Sequence, residues 1–126
     1  MEFTIKTTKK QELIDITDKI QNSIKSKNGS ILVFTPHATC SIIINENYDP
    51  NICQDLIDSL NSLIPAGKWR HDKIDNNADA HIKASILGPS EIIPVKNSKL
   101  QLGQWQSIML FELNGPRERK IIIKNV

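Results

Sequence analysis

The chain has 126 residues and a net charge of +2, with 39% hydrophobic and 24% charged residues. This length fits a single domain, residues 1–126, with a core of its own. The weak charge excludes the dense basic face that nucleic-acid binding needs, and no apolar stretch approaches the roughly 20 residues that span a bilayer, so neither partner is expected.

The two cysteines and the start of the chain bear on the cellular compartment. Cys40 and Cys53 are not spaced as a metal-binding pair, and we interpret both as buried structural thiols. The first residues lack the basic segment and apolar run of a secretory signal. We therefore expect a cytoplasmic protein in a reducing compartment.

The first quarter of the chain predicts a strand and then a helix. Residues 1–7 alternate apolar and polar side chains, as in a half-buried strand. The next apolar residues recur at helical spacing: Leu13, Ile16, Ile20 and Ile24. With a capping box of Thr8 and Gln11 before them, they predict an amphipathic helix that ends near Gly29.

The middle of the chain predicts two strands and two further helices. Residues 30–35 and 39–44 are short apolar runs typical of buried strands. Asp49 followed by Pro50 predicts the start of a helix. The buried stripe predicted for that helix is Ile52, Leu56, Leu60 and Leu63. Residues 68–77 predict a loop, and a short helix follows.

The C-terminal part predicts more strands. They cover residues 91–95, residues 99–113 with a bend at Gly103, and residues 119–124. Because the strands group together late, the predicted class is α+β, with a mixed, mostly antiparallel sheet and two to three helices. The late basic residues are interpreted as a solvated strand and turn. They are Arg117, Arg119, Lys120 and Lys124.

Three histidines, His37, His71 and His81, begin or end elements or lie in the long loop. If they converge, they could bind a metal ion through neutral imidazole nitrogens, or transfer protons near neutral pH. No HxH or HExxH pattern supports a metal site. Three unrelated, hydrogen-bonded histidines remain the alternative.

A second polar cluster follows the strand at residues 39–44. It consists of Asn45, Glu46, Asn47 and Asp49. A carboxylate flanked by carboxamides could coordinate magnesium or bind a polar ligand. A strand-to-helix turn accounts for Asp49 and partly for Asn47, but less well for Asn45 and Glu46.

A third polar cluster surrounds the start of the short helix at residues 79–87. It consists of Asp75, Asn76, Asn77, Asp79, His81 and Lys83. Free backbone amides at a helix start favour phosphate, and Lys83 could add a positive charge. A turn rich in Asn, which tolerates left-handed backbone, is the alternative.

These clusters together resemble the YjbQ family, also called the secondary thiamine-phosphate synthase family. The matching segments are Thr35-Pro36-His37-Ala38-Thr39-Cys40, Asn45-Glu46-Asn47 with Asp49-Pro50, Asp75-Asn76-Asn77-Ala78, Ala80-His81-Ile82-Lys83-Ala84-Ser85, Leu87-Gly88-Pro89-Ser90, Ile93-Pro94-Val95, Leu102-Gly103, Trp105-Gln106, Glu112, Gly115, Arg117 and Arg119. They run in consistent order along nearly the whole chain. One departure is Ala38, where the family usually has a hydroxyl residue. Any ligand contact of that hydroxyl is missing here or passes to Thr39.

The resemblance implies a sheet curved into a half-barrel, a homotrimer and weak thiamine-phosphate synthase activity. It also implies a pocket built from His37, Asn45, Glu46, Asn47, His71, Asn76 and His81. The leading hypothesis is an enzyme that joins a pyrimidine diphosphate to a thiazole phosphate and releases diphosphate. Glu46 would help to hold magnesium with the diphosphate, and His37 and His81 would donate protons or contact the ligand.

Two other functions remain open. A metal-dependent hydrolase would hold zinc or a related ion with His37, His71 and His81, leaving one position for water. A non-catalytic protein would bind a small phosphorylated metabolite in the same pocket without turnover.

Overall fold

Eight strands and three helices build the fold, and the computed structural model describes all residues, 1–126. The strands are β1 (Glu2–Lys6), β2 (Glu12–Asp15), β3 (Asn28–Phe34), β4 (Cys40–Asn45), β5 (Ser90–Lys96), β6 (Lys99–Leu100), β7 (Ser107–Glu112) and β8 (Glu118–Asn125). The helices are α1 (Thr17–Asn22), α2 (Pro50–Leu63) and α3 (Ala78–Leu87), with a short 3-10 helix at Arg70–Lys73. The predicted α+β class is confirmed.

The strands form two antiparallel sheets that together curl into a half-barrel. One sheet has the order β1-β8-β3-β5-β6, and the other has the order β2-β7-β4. Every strand pair is antiparallel. Although β7 and β8 are separated by a short turn, they belong to different sheets, so the chain crosses from one sheet to the other at this corner.

The core lies between the two sheets and is built largely from isoleucine. Alternate residues of each strand point inward, for example Ile31 and Val33 on β3 and Ile121 and Ile123 on β8. Since branched side chains pack well on a pleated surface, the Ile-rich composition suits this sheet-dominated core. None of the helices has both the length and the apolar character that crossing a bilayer requires.

The helix predicted near residues 13–24 is only partly present. The carboxylate of Glu12 accepts the backbone N–H groups of Thr8 at 2.7 Å and Lys9 at 2.8 Å, which turns the chain into β2. The next residues pair with β7, and helix begins only at Thr17. The predicted capping box is therefore wrong, because distant strand pairing overrides the helical spacing of the apolar residues.

The predicted start of α2 is confirmed. The carboxylate of Asp49 accepts the N–H of Asn51 at 2.9 Å, with Pro50 in the first turn. Leu56 and Leu60 are half-buried against a small apolar cluster, but Leu63 is exposed. The cluster consists of Ala80, Ala84, Phe111 and Leu113. The buried stripe is therefore shorter than predicted.

The long predicted strand at residues 99–113 divides into β6 and β7. The expected bend lies near Gly103, whose N–H donates a hydrogen bond to the side chain of Gln106.

Candidate functional site

One pocket lies between the β3–β4 connection and α3, with a volume of about 220 Å³. Its lining residues are His37, Ala38, Cys40, His81, Ala84, Ser85 and Pro89. His81, Ala84 and Ser85 follow the i, i+3, i+4 spacing that places side chains on one helix face. Two of the three predicted histidines, distant in sequence, thus share one pocket.

His37 is held by the main chain of β8. The N–H of Lys120 donates to Nε2 of His37 at 2.9 Å. Burial, together with the positive charges of Arg119 and Lys120, lowers the pKa of His37 below its usual range, against an opposing effect of Glu112. His37 is therefore a neutral imidazole at physiological pH.

The third histidine lies behind the pocket rather than in its lining. The 3-10 helix places His71 against His81, with ring centroids 5.0 Å apart and the rings nearly perpendicular. Nε2 of His71 is 3.6 Å from the carboxylate of Asp75. His71 thus packs against the ring of His81, and its buried Nε2 lies near a carboxylate without making a hydrogen bond.

A buried ion pair, which the sequence interpretation missed, lies close to the pocket. Arg119, only 3% exposed, donates from Nε to Glu112 at 2.8 Å and from Nη2 to its other carboxylate oxygen. The same carboxylate accepts the hydroxyl of Thr7 at 2.9 Å and the N–H of Asn114 at 3.0 Å. The interpretation of Arg119 as part of a solvated strand is therefore wrong.

The pocket side of the β3–β4 connection carries Ala38, not Thr39. Thr39 is buried. Its hydroxyl and carbonyl oxygens accept hydrogen bonds from Nη2 of Arg119, at 2.8 and 3.1 Å respectively. Thr39 therefore fastens the connection to β8 and does not replace the hydroxyl that Ala38 lacks. Its predicted ligand-binding role has no support in this geometry.

The Asn45–Asn47 turn does not reach the pocket of its own chain. Cys40 and Asn45 stand at opposite ends of β4, about 17 Å apart for an extended strand. Within the turn, Asn45 Oδ1 accepts the N–H of Glu46 at 2.7 Å, and Nδ2 of Asn47 donates to Asp15 at 3.0 Å. Most polar groups here thus have hydrogen-bond partners within the chain, while the carboxylate of Glu46 makes no hydrogen bond.

The start of α3 is occupied by the chain's own carboxylates. Asp72 accepts the N–H of Ala78 at 3.0 Å. Lys83 is fully buried and donates to Asp79 at 3.2 Å and to Asn61 at 2.6 Å. The predicted phosphate contact of Lys83 has no support in this geometry, since its ammonium group is already paired and lies outside the pocket lining.

Asp75 and Asn76 are exposed residues of the turn before α3. Asn76 has a φ of 51°, the left-handed conformation that Asn tolerates, which confirms the turn interpretation for this residue. Asp75 faces His71, as described above. Neither residue lines the pocket.

The pocket thiol is not activated, and the three histidines are not arranged as a metal-binding group. Burial raises the pKa of Cys40, whose sulfur lies 3.3 Å from the hydroxyl of Thr35, so this pocket-lining thiol stays protonated. The chain has no group of three or more His, Cys, Asp or Glu side chains placed to hold a metal ion. The three-histidine zinc site therefore stays a prediction without a preformed ligand set.

The model of the family described as UPF0047 protein YjbQ-like matches residues 1–126. A UPF0047 protein of Archaeoglobus fulgidus is 46% identical over 125 residues, which cover 98% of each chain. The chain belongs to the YjbQ/UPF0047 family. YugU of Bacillus subtilis, another UPF0047 protein, is 38% identical, with 95% of this chain and 93% of that protein covered.

Solved structures of the YjbQ/UPF0047 family share the same fold. The crystal structure of an uncharacterised family protein from Clostridium acetobutylicum matches with a TM-score of 0.95 and 38% identity, covering 100% of this chain and 99% of that one. A YjbQ-like protein of unknown function from Sulfolobus solfataricus matches at 0.93 and 37%, covering 98% and 92%. The predicted family and half-barrel fold are confirmed.

Proposed function

We propose that this protein is a cytoplasmic transferase with thiamine-phosphate synthase-like activity. It would join a pyrimidine diphosphate to a thiazole phosphate and release diphosphate. The observation that carries the proposal is the convergence of His37 and His81 on one pocket. This reaction requires two aligned substrates and stabilisation of the negative charge that develops on the leaving group, and hydrogen-bond donors in a partly enclosed pocket supply the latter.

The two pocket histidines have different roles in this proposal. His37 contacts the phosphorylated substrate, while His81 moves protons, because its ring is not fixed by a main-chain hydrogen bond. His71 packs against the ring of His81, and the carboxylate of Asp75 lies beside His71, so these two residues would help to orient His81.

A second copy of the chain would complete the site. The pocket of one chain, at about 220 Å³, is below the roughly 300 Å³ or more that is usual for ligand sites, so it suits one small phosphorylated molecule. In a homotrimer, the Asn45–Asn47 turn of a neighbouring copy would supply the remaining wall. Glu46, whose carboxylate is free, would then hold magnesium with the diphosphate, as single carboxylates do beside substrate phosphates.

The outer face of the larger sheet supports association between copies. Strands β3, β5 and β8 carry apolar residues on this face as well as on the core face. They are Leu32, Phe34, Ile92, Pro94 and Ile122. Strands that are apolar on both faces are usually covered on both. Sedimentation analysis should give a trimer, and Ile92→Asp should shift it towards monomer; a monomeric wild-type protein would remove this part of the proposal.

The transferase activity is tested by incubating purified protein with both substrates and magnesium and measuring thiamine phosphate. His81→Ala should lose most of the product, while the exposed control Lys99→Ala should keep it. Equal product from wild type and His81→Ala would remove His81 from the mechanism. A thermal shift with the phosphorylated substrates but no product would favour the non-catalytic binding protein instead.

The metal-dependent hydrolase has less support from the geometry. Nε2 of His37, one of its three proposed ligands, already accepts a main-chain N–H. Metal analysis of protein purified without chelator distinguishes the two proposals, because a stoichiometric transition metal lost in His37→Ala would favour the hydrolase.

A further inference from the structure

The hydrogen bond between Lys120 and His37 determines which ring nitrogen of His37 carries the proton. A backbone N–H can only donate, so Nε2, at 2.9 Å from the nitrogen of Lys120, must present its lone pair. A neutral imidazole then carries its hydrogen on Nδ1. The main chain thus selects one tautomer of His37.

Two further contacts hold the partners of this bond in place. The hydroxyl of Thr35 donates to the carbonyl oxygen of Lys120 at 3.0 Å. Next to it, Arg119 holds both oxygens of Thr39, two residues beyond His37. The connection that carries the ring and the strand that carries the N–H are therefore fastened together on either side of the ring.

The charges around His37 oppose a second proton on its ring. Arg119 and Lys120 are positive, and the carboxylate of Glu112 is fully engaged by Arg119, Thr7 and Asn114. From α3, His81 faces the same pocket, and Cys40 is a protonated thiol. A doubly protonated His37 would also carry a hydrogen on Nε2, which would face the N–H of Lys120 and repel it.

The other ring nitrogen remains available to a ligand. His37 lines the pocket, and Nδ1 makes no hydrogen bond within the chain. We infer that His37 acts as a neutral hydrogen-bond donor, through Nδ1–H, to an anionic phosphate or diphosphate oxygen in the pocket. It is therefore not a general base, because the lone pair that a base needs is occupied by the main chain.

This inference rests on the proposed function only in taking the pocket as the place where a phosphorylated substrate binds. Its first test is NMR of protein with ¹⁵N-labelled histidine. Long-range ¹H–¹⁵N correlations should show His37 protonated at Nδ1 alone at neutral pH. A proton on Nε2, or a doubly protonated ring at neutral pH, would overturn the inference.

The same sample then receives inorganic phosphate or, separately, inorganic pyrophosphate. The Nδ1–H signal of His37 should shift with at least one anion, and the stronger response identifies which phosphate group it contacts. A His37 signal unchanged by saturating amounts of both anions would overturn the inference. If the protein shows the predicted His37 shifts but makes no thiamine phosphate, the transferase proposal is rejected. The anion contact of His37 is then still supported.

Two variants separate ligand contact from structural support. An asparagine amide reaches about as far as Nδ1 and can keep a donor there, whereas a glutamine amide reaches about as far as Nε2 and can keep only the acceptor for Lys120. Pyrophosphate binding measured by calorimetry should weaken about tenfold or more in His37→Gln and clearly less in His37→Asn. The reverse order would assign His37 a purely structural role and overturn the inference.

Discussion

Arg119 and Glu112 form a two-point ion pair inside the core, although β8 and β7, which carry them, belong to different sheets. Two parallel N–H to oxygen bonds give an arginine–carboxylate pair its strongest geometry. Because Arg119 also holds Thr39, this pair fixes the connection that carries His37. The ion pair therefore connects the stability of the fold to the shape of the pocket.

Breaking this pair should destabilise the protein strongly. Glu112→Gln leaves the guanidinium of Arg119 buried without a counter-charge, so we expect a loss of about 3–5 kcal/mol in the free energy of unfolding. Glu118→Gln, which removes an exposed carboxylate 3.8 Å from Lys6, should change it little. Urea unfolding of both variants measures the difference, and equal stabilities would contradict the buried pair.

The same carboxylate should make stability depend on pH in a defined direction. Burial opposes ionisation of Glu112, but hydrogen bonds from Arg119, Asn114 and Thr7 outweigh it, so its pKa lies below the ordinary value of 4.5. The unfolded chain therefore takes up the proton first. The stabilisation is complete above about pH 4.5 and is lost as the pH falls through the folded-state pKa.

Unfolding free energies measured between neutral and acidic pH test this dependence. Wild type should lose stability on acidification more steeply than Glu112→Gln, which lacks the titrating group. Other carboxylates with lowered pKa values, such as that of Asp72, contribute equally to both proteins. Parallel pH curves for the two proteins would mean that Glu112 is not held ionised in the folded state.

Gly115 stands directly over the buried carboxylate. A Cβ at this position would lie 2.2 Å from the carbonyl oxygen of Lys9 and 2.8 Å from Cγ of Glu112. Gly115→Ala should therefore cost about 3 kcal/mol, since main chain cannot easily move. At Gly103, a Cβ would meet only the flexible side chain of Gln106 at 3.4 Å, so Gly103→Ala should be mild. Thermal unfolding that ranks the two variants in the opposite order would contradict this packing.

Lys83 should matter for stability and not for anion binding. Lys83→Met leaves Asp79 and Asn61 without their buried partner, which should cost about 1–3 kcal/mol. Pyrophosphate affinity, measured by calorimetry below the unfolding temperature, should stay unchanged. A clear loss of affinity with unchanged stability would restore the phosphate-binding role that the sequence suggested.

A hydroxyl at position 38 should strengthen anion binding. Ala38 lines the pocket, so Ala38→Ser adds a donor at the position where the resemblance leads us to expect one. We expect pyrophosphate to bind about threefold to tenfold more tightly, the value of one added hydrogen bond. Ala66→Ser, at an exposed position outside the pocket, serves as the control. Equal affinities in wild type and Ala38→Ser would contradict an anion site beside residue 38.

The sequence predicts features that depend on neighbouring residues better than those that depend on distant ones. The Asp49 cap needs only the residues after it and is confirmed. The helix predicted around Leu13 fails because β2 pairs with β7, about a hundred residues away. The burial of Arg119 could have been predicted, because alternate residues of a strand face the same side. Arg119 therefore lies on the same inward face of β8 as Ile121 and Ile123.

The candidate site follows the same distinction. Spacing alone did not show that His37 and His81 would meet, because the strand and helix that carry them are brought together only by the closed fold. The turn containing Glu46 follows the same strand as Cys40, yet it lies at the strand's far end. Closeness in sequence therefore misleads where an extended strand separates two polar clusters.

Amide chemical-shift mapping with thiamine phosphate, the proposed product, tests most directly whether the pocket at His37 and His81 is the functional site. The largest shifts should fall on residues 37, 38, 81 and 85, with smaller shifts at residues 45–47 if a second copy completes the site. Saturating thiamine phosphate that leaves residues 37, 38, 81 and 85 unchanged would contradict the account.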